Sequence, residues 1–375
     1  MRPQTVDENL FDGLAARRGT SLVSIVIPTH ERGREVTQDP IRFKNQVSRI
    51  DEELESLGWR RRKRAAHLQG AKDLVDDREF WEHQGPGLAF YLADDGASWA
   101  IALGHRPEPA FWIMPTFAVR PLLMELTAVE LDALALSRGL VGLYTVSARS
   151  VRRVDADLPA SFDDVNWFVD RETQRQQHPD RVGSDRNRHG HDPRSQEHED
   201  LARFLREVDR ALPPGPRELP LVVLGDDDLV ARFANITDRD TTSPNRSGFP
   251  TSVSDEQIRD MAKPIVEDAE QERTNRFITK AVDRAGSGQG TSQITEAIRA
   301  ALSGRVELLI TDIGADPIWG RIDEATHRVT VTEDRGADDV DLLDRLVVLT
   351  TSNGGDVYGV MDAVDGHPFI ATYRY

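Results

Sequence analysis

One stretch of the chain, Arg171–Glu199, contains a single aliphatic residue, Val182, among Arg, His, Gln, Asp and Glu residues. It can bury too little apolar surface to offset the entropy lost on ordering, so it predicts a long loop or a disordered insert. Strand and helix patterns flank it on both sides. Loops of this length inside a compact domain are usually functional or disordered. The pattern therefore predicts a folded carrier that presents this loop.

Size and composition narrow the class of protein. A chain of 375 residues is long enough for two or three domains, each with its own core. The absence of cysteine excludes disulfides, thiolate metal sites and Cys nucleophiles. The first residues lack the apolar segment of a secretory signal, and no run reaches the length of a membrane-spanning helix. We expect a soluble cytoplasmic protein with no membrane association and no cofactor.

The formal charge of −17 is unevenly distributed. Residues 1–112 carry 16 basic and 18 acidic side chains, residues 113–240 carry 17 and 23, and residues 241–375 carry 14 and 23. An acidic total argues against general binding to duplex DNA, because such binding depends on neutralising phosphates. The near-neutral first part contains the run Arg60-Arg61-Arg62-Lys63-Arg64, which indicates either an RNA contact or a solvated helix end.

The first part, residues 1–115, predicts an α/β domain. Val23–Ile27 has the pattern of a buried strand. Asp39 as N-cap and Pro40 as first residue predict the start of a helix. A second helix is predicted over Ala71–Glu82. Gly87–Ala93 and Ser98–Leu103 predict a hairpin around Asp94-Asp95-Gly96.

The middle part, residues 116–240, predicts three antiparallel strands over Phe117–Leu126, Leu131–Ser137 and Leu140–Val146. The polar loop 171–199 follows, and then a helix, a buried strand at Leu221–Leu224 and a helix from Asp227. This order is typical of a ribonuclease H-like α/β domain. It implies no activity by itself.

The last part, residues 241–375, predicts a helix–sheet–helix sandwich. A long helix is expected to begin at Ser254, whose capping box is completed by Gln257. Ser292 is expected to cap a shorter helix. Strand patterns follow at Val306–Ile310 and Phe369–Tyr375, with a helix at Leu342–Leu349 between them.

Several stretches together resemble the bacterial branch of the archaeo-eukaryotic peptide-chain release factor family, which is related to Pelota, with the family 3 subgroup as the best fit. They are Ser24–Thr29 (SIVIPT), Gln38–Asn45 (QDPIRFKN), Gly87–Tyr91 (GLAFY), Phe117–Leu123 (FAVRPLL), Gly304–Leu309 (GRVELL), Gly354-Gly355 and Ala371–Tyr375 (ATYRY). Each motif is short, and their order along the chain carries the resemblance.

The resemblance implies an α/β multidomain fold in three domains. The first would face the decoding region of the ribosome, and a ribonuclease H-like middle domain would carry its loop toward the peptidyl-transferase centre. An L7Ae-like α/β/α C-terminal domain would dock a translational GTPase or the ribosome. The family pattern also favours a monomer.

One departure from the family pattern concerns catalysis. Release factors of this family carry Gly-Gly-Gln on the middle-domain loop, and this sequence contains no such tripeptide. The nearest match is Gly286-Ser287-Gly288-Gln289-Gly290, which precedes a predicted helix and is typical of a turn. Stop-codon-directed termination is therefore not expected.

The candidate site residues follow from these patterns. Basic residues in the first part and on the loop could contact RNA: His30, Arg32, Arg34, Arg60, Arg61, Arg62, Lys63, Arg64, Arg186 and Arg188. His189 and His191 on the loop are candidate catalytic residues, because imidazole transfers protons near neutral pH. Alternate histidines are weak metal ligands without a third ligand, so no metal site is predicted. Asp132 alone does not make a ribonuclease H metal site.

These features predict a ribosome-associated factor that does not read stop codons and that acts in ribosome rescue or hibernation. Its partners would be the ribosome, through rRNA and P-site tRNA, and a translational GTPase bound by the C-terminal domain. One alternative is a peptidyl-tRNA hydrolase that uses the loop histidines. Another is a non-ribosomal interaction protein that retains the fold.

Overall fold

The structure is a computed structural model that describes residues 3–30, 33–82, 84–148, 150–163, 193–215, 219–244, 253–333, 335–336 and 339–375. The chain forms two compact units, one made of Met1–Thr127 with Arg273–Tyr375 and the other of Ala128–Glu272. The predicted α/β multidomain fold is confirmed. The three-domain division at residues 115 and 240 remains a prediction. No helix in the described ranges is long and apolar enough to span a bilayer.

The first part of the chain is a four-stranded antiparallel sheet with helices. Strand β1 is buried along its whole length, and the strand order is β3-β2-β1-β4. Alternate β1 side chains such as Val23 and Ile25 pack against Phe43 of helix α2, as the period of two in a strand requires. The elements are α1 (Glu8–Ala16), β1 (Leu22–Pro28), α2 (Asp39–Ser56), α3 (Arg61–His67), α4 (Gln69–Val75), α5 (Arg78–Trp81), β2 (Gly87–Leu92), β3 (Ser98–Leu103), β4 (Ala110–Met114) and α6 (Leu123–Leu126), with 3₁₀ turns at Arg34–Gln38 and Arg120–Leu122.

Three local predictions in this part need correction. The strand predicted over Phe117–Leu126 is wrong, because this apolar run forms a 3₁₀ turn and α6 inside the core. The helix predicted over Ala71–Glu82 is two helices, α4 and α5, and Asp77 caps the second. Helix α2 begins at Asp39 itself, with Gln38 as N-cap. The hairpin of β2 and β3 is confirmed, and Gly96 in its turn has a φ of 84°.

The middle unit contains a five-stranded sheet in the order β7-β6-β5-β8-β9. The first three strands are antiparallel, whereas β5–β8 and β8–β9 pair in parallel. Three antiparallel strands followed by a helix, a strand and a helix agree with the predicted order of element types, but the third strand is β7 rather than the predicted Phe117–Leu126. The ribonuclease H-like assignment remains a prediction. The elements are β5 (Leu131–Leu136), β6 (Val141–Val146), β7 (Val151–Arg153), α7 (Pro193–Ala211), β8 (Leu221–Gly225), α8 (Asp227–Ala234) and β9 (Thr241–Thr242).

A long helix, α9 (Asp255–Gly286), follows the middle sheet, and the division between the two units falls within it. Ile258, Ala262 and Val266 pack against one face of the middle sheet. The predicted capping box is confirmed, because the backbone nitrogen of Ser254 donates to Gln257 Oε1 at 3.0 Å and that of Gln257 donates to Ser254 Oγ at 3.3 Å.

The last part of the chain contains two further sheets. Their strand orders are β10-β16-β11-β15 and β13-β12-β14. The cap predicted at Ser292 is wrong: the N-cap is Gln293, and its nitrogen donates to Thr291 Oγ1. The elements are β10 (Gly290–Thr291), α10 (Ile294–Leu302), β11 (Val306–Asp312), β12 (Trp319–Asp323), β13 (Arg328–Val331), β14 (Val340–Asp341), α11 (Leu342–Ser352), β15 (Asp356–Val360) and β16 (Phe369–Tyr373). The L7Ae-like assignment of this part remains a prediction.

The first and last parts of the chain share one apolar core. Residues Phe117–Leu123 lie in it beside α10, α11 and the second face of the first sheet. A buried arginine, Arg120, donates through Nη2 to Asp341 Oδ2 at 3.0 Å and through Nη1 to the Asp312 carbonyl at 3.0 Å. Its backbone nitrogen donates to Asp344 Oδ1 at 2.8 Å. The Phe117–Leu123 segment is therefore held by both polar and apolar contacts.

Two carboxyl groups in this junction have shifted pKa values. Burial, with the nearby Asp341 charge, raises the pKa of Asp344 to about 7. Burial also raises the pKa of Asp341, although the Arg120 guanidinium opposes this. Because water cannot solvate either carboxylate, each depends on the donors that Arg120 and its neighbours supply.

Candidate RNA-binding site

His30 lies just beyond the carboxyl end of β1 and is held by the first residue of α2. Its Nδ1 is 2.8 Å from Asp39 Oδ1, and its backbone nitrogen donates to Asp39 Oδ2 at 2.8 Å. Asp39 is fully buried, whereas the His30 side chain is 11 % exposed. This paired contact fixes the ring and leaves Nε2 on the accessible side. The sequence pattern assigned Asp39 only a capping role and did not connect it to His30.

Charged side chains surround this ring. Arg42 Nη1 donates to Asp39 Oδ1 at 2.8 Å, and Arg106 Nη2 lies 3.1 Å from His30 Nε2. Glu35 Oε2 is 2.8 Å from the same Nε2. With its proton on Nδ1, the ring accepts from Arg106; with both nitrogens protonated, it donates to Glu35. We call His30, Glu35, Asp39, Arg42 and Arg106 the His30 cluster.

The other residues predicted near His30 are placed differently. Arg34 is exposed in the 3₁₀ turn that precedes α2. Arg32 lies outside the described residues. Arg42 and Arg106 were not predicted, and only the first has a sequence signal, because it stands three residues after Asp39 on one helix face. Arg106 comes from the segment after β3, and no local pattern connects it to His30.

The basic run at residues 60–64 divides into an exposed part and a buried residue. Arg60, Arg61 and Arg62 are exposed at the start of α3, and we call them the α3 arginines. Lys63 Nζ lies 3.4 Å from the centroid of the Trp59 ring, which is a cation–π contact.

Arg64 does not belong to this surface. It is only 6 % exposed, its Nε donates to Asp51 Oδ1 at 3.2 Å, and its Nη1 donates to the Trp59 carbonyl at 3.0 Å. Glu55 Oε1 lies 3.1 Å from the same Nη1. Since Arg64 joins α3 to the end of α2, its role is structural, and the prediction of an RNA contact there needs correction.

The structure does not bring the His30 cluster and the α3 arginines together. His30 follows β1 at its carboxyl end, whereas His67 of α3 contacts the Ser21 carbonyl, just before the amino end of β1, at 3.1 Å. A seven-residue strand is about 20 Å long. The first part of the chain therefore has two separate groups of exposed arginines, Arg34 with Arg106 and the α3 arginines.

The remaining site candidates belong to the middle part. Arg186, Arg188, His189 and His191 lie outside the described residues, as does most of the predicted loop. The end of that loop prediction is wrong, because residues 193–199 form the start of α7. Asp132 forms an ion pair with Arg239, with Oδ2 and Nη2 2.9 Å apart. No group of three or more His, Asp or Glu side chains that could hold a metal ion occurs in the described ranges.

The glutamine of the Gly-Ser-Gly-Gln-Gly stretch has a structural setting. Gly288 has a φ of 80°, and the backbone nitrogen of Gln289 donates to the Arg284 carbonyl at 2.8 Å at the end of α9. The Gln289 carbonyl in turn accepts from Tyr373 of β16. This segment closes a helix and starts a strand, as expected for a turn.

Residues 133–305 match the model of bacterial archaeo-eukaryotic release factor family 3. The predicted resemblance to the bacterial archaeo-eukaryotic release factor family is confirmed over this segment. The matched segment covers most of the middle part and continues into the last part. No curated protein sequence matches the chain significantly.

Solved structures of release factor-like proteins are also similar to this chain. The archaeal translation termination factor aRF1 is 13 % identical over 98 % of this chain and 96 % of its own, with a TM-score of 0.25. Archaeal Pelota, from a model of ribosome-bound Pelota and ABCE1, is 13 % identical over 77 % and 78 %, with a TM-score of 0.34. Saccharomyces cerevisiae Dom34, described as interacting with Hbs1, is 11 % identical over 77 % and 79 %, with a TM-score of 0.32. TM-scores this low carry no argument about function.

Proposed function

We propose that this protein is a ribosome-associated translation factor that does not read stop codons and that acts on stalled or idle ribosomes, in rescue or hibernation. One observation carries the proposal: the family model matches residues 133–305, yet Gly-Gly-Gln occurs nowhere in the sequence. In release factors of this family, that tripeptide positions water against the peptidyl ester. A chain without it is suited to occupying the ribosome rather than to codon-directed hydrolysis.

The first domain would supply the RNA contacts. The α3 arginines are exposed and form no ion pair with any described residue, so they are available to neutralise phosphates. Arg34 and Arg106 provide a second basic surface beside His30. Arginine suits this contact because its planar donor group matches phosphate oxygens.

The last part of the chain would contact a protein. Residues 241–375 carry 14 basic and 23 acidic side chains, a balance that favours a basic protein surface over nucleic acid. A translational GTPase is the partner that the family resemblance implies, and we propose it for this region. We propose P-site tRNA as the partner of the polar segment that precedes α7.

Sedimentation with purified ribosomes in sucrose gradients tests the central claim. The protein should co-sediment at low salt, and Arg61→Glu with Arg62→Glu should weaken binding by at least tenfold, because two phosphate contacts become repulsive. The matched control is Arg206→Glu with Arg210→Glu, which makes the same charge change at exposed positions of α7.

The outcomes are distinct. Equal loss in both double variants would show that total charge, rather than the first domain, determines binding. If the unmodified protein failed to co-sediment with ribosomes from both growing and starved cells, the proposed function would be rejected.

A further inference from the structure

An open pocket of about 470 Å³ lies in the last part of the chain, at the end of α10. Arg299 comes from α10, Arg305 from the segment before β11, and Arg328 from the start of β13. His327 and Tyr373 also line it. We call this cavity the Arg299 pocket. It brings together three guanidinium groups that are separated by up to 29 positions in the sequence.

The charge of the Arg299 pocket is opposite to that of its surroundings. Arg299, Arg305 and Arg328 are exposed, and none has an ion-pair partner among the described residues. Glu296 is the one carboxylate among the lining residues, and it accepts a hydrogen bond from Thr291 Oγ1 at 2.8 Å. Three cations facing one carboxylate make a locally positive site within an acidic region.

Other arginines nearby have structural partners. Arg321 pairs with Asp339, Arg345 pairs with Glu324, and Arg284 pairs with Glu307. Among the described residues, Arg299 and Arg305 therefore differ from these neighbours in having no carboxylate within ion-pair distance. Arg328 interacts electrostatically with Asp323, the residue opposite it in the β12–β13 ladder.

Local structure holds the pocket in shape. The Arg305 guanidinium lies over the Tyr373 ring, 5.0 Å from its centroid, and its backbone nitrogen donates to the Ala300 carbonyl at 2.9 Å. The backbone nitrogen of Ser303 donates to the Arg299 carbonyl. Since backbone donors close the end of α10, no arginine side chain is needed as a helix cap.

The hairpin of β12 and β13 places the third arginine. In its turn, Asp323 Oδ1 accepts from the backbone nitrogens of Ala325 at 3.1 Å and Thr326 at 3.2 Å. His327 then adopts a left-handed conformation with a φ of 54°, and Arg328 follows as the first residue of β13. A non-glycine residue with such a φ requires a well-determined turn.

We propose that the Arg299 pocket binds a phosphate group and that this group belongs to an RNA backbone. Guanidinium groups bind phosphate through paired hydrogen bonds, and the cavity has the size of sites that take a nucleotide. That this RNA is ribosomal rests on the proposed function. That the pocket binds phosphate rests only on the arginines that line it. The last part of the chain would then contact RNA at one place on an otherwise protein-binding surface.

Fluorescence polarisation with a labelled ten-nucleotide single-stranded RNA tests this inference on the full chain. The variant combines Arg299→Gln, Arg305→Gln and Arg328→Gln. It should bind at least tenfold more weakly, and its salt slope should fall by about two, because each phosphate contact contributes about 0.7 for a single strand. The control is Arg276→Gln, an exposed arginine of α9 outside the pocket.

Two further measurements identify the source of the phosphate. Displacement of the RNA by ADP or pyrophosphate at submillimolar concentration would support a phosphate-binding site but would reject the RNA backbone as its ligand in favour of a free nucleotide. Lack of displacement, with weakened RNA binding by the triple variant, assigns it to an RNA backbone. Unchanged affinity of the triple variant, or binding of a poly-glutamate peptide instead of RNA, would overturn the inference.

The same comparison in a chain that also carries Arg61→Glu and Arg62→Glu separates this site from the first domain. In that chain the three pocket substitutions should reduce the affinity for RNA by the same factor as they do when Arg61 and Arg62 are retained. Thermal unfolding of each variant verifies that the fold is intact. Because this assay contains no ribosome, a failure of the pocket to bind RNA would not reject the proposed ribosome binding. Sedimentation tests that binding separately.

Discussion

The Asp344 carboxylate accepts a hydrogen bond from the backbone nitrogen of Arg120 at 2.8 Å, and the two residues are 224 positions apart. The backbone nitrogen of Val119 donates to the same carboxylate at 2.9 Å. This carboxylate therefore fixes the Phe117–Leu123 segment to α11. Its protonation is linked to the stability of the unit that contains both ends of the described chain.

Asp344→Asn should change how stability depends on pH. Burial, with the Asp341 charge, raises the folded-state pKa of Asp344 to about 7. The folded state thus binds a proton on Asp344 more tightly than the unfolded state does. The stability that the protonated carboxyl contributes is therefore fully present below about pH 4 and is lost as pH rises through 7. Between pH 4 and pH 8 the loss is on the order of 4 kcal/mol, and the asparagine variant should lack it. Urea unfolding at pH 5 to 8 measures this; parallel profiles for the two proteins would contradict it.

Arg120→Met should strongly destabilise the same unit. The substitution leaves Asp341 buried without its cation and frees the carbonyls of Asp312 and Ala315. Breaking a buried ion pair costs about 3 to 5 kcal/mol in the free energy of unfolding. The double variant with Asp341→Asn should regain part of this loss, because asparagine carries no charge and keeps an acceptor for the backbone nitrogen of Leu343. A loss below about 1 kcal/mol for Arg120→Met alone would show that the pair does not hold the junction.

His67→Gln should reduce sensitivity to mild acid. Burial lowers the folded-state pKa of His67, although the nearby Asp94 charge opposes this shift. The unfolded state therefore takes up the proton first, and stability is lost as pH falls below about 6.5. A glutamine amide retains a donor for the Ser21 carbonyl without titrating. Thermal unfolding at pH 5 and 7 compares the variant with His367→Gln, an exposed control that should behave like the unmodified protein.

The two groups of exposed arginines in the first part of the chain should contribute independently to the proposed ribosome binding. Arg34→Glu with Arg106→Glu should weaken co-sedimentation by about tenfold, as should Arg61→Glu with Arg62→Glu, because each variant repels phosphates at one end of β1. Sites this far apart are additive in free energy, so the quadruple variant should lose the product of the two factors. A quadruple variant no weaker than either double variant would show that the two surfaces do not bind together.

Periodic patterns predicted much of the architecture. The buried strand β1, the hairpin of β2 and β3 and the capping box of Ser254 all follow from local rules of period, turn and capping. The run Phe117–Leu126 was misassigned as a strand, because an uninterrupted apolar segment does not distinguish a buried strand from a buried turn of helix.

Polar side chains were harder to place from sequence. Arg64 stands in a run of similar residues, and only its contacts with Asp51 and Glu55 show that it is buried. The Arg299 pocket has no sequence signal, since its arginines come from a helix, a loop and a hairpin. Such sites depend on tertiary proximity, which neither spacing nor composition records.

The shared core of the first and last parts also determines when each unit can fold during synthesis. The middle unit is complete in sequence by Glu272, whereas the core around Phe117 and Val119 requires α11 and β16. At typical synthesis rates, the roughly 250 residues between Val119 and β16 take on the order of ten seconds or more. Pulsed proteolysis of nascent chains should therefore find the middle unit protected first. During this interval the apolar face of the first sheet lacks its final cover, and this is the period in which a chaperone would be most useful.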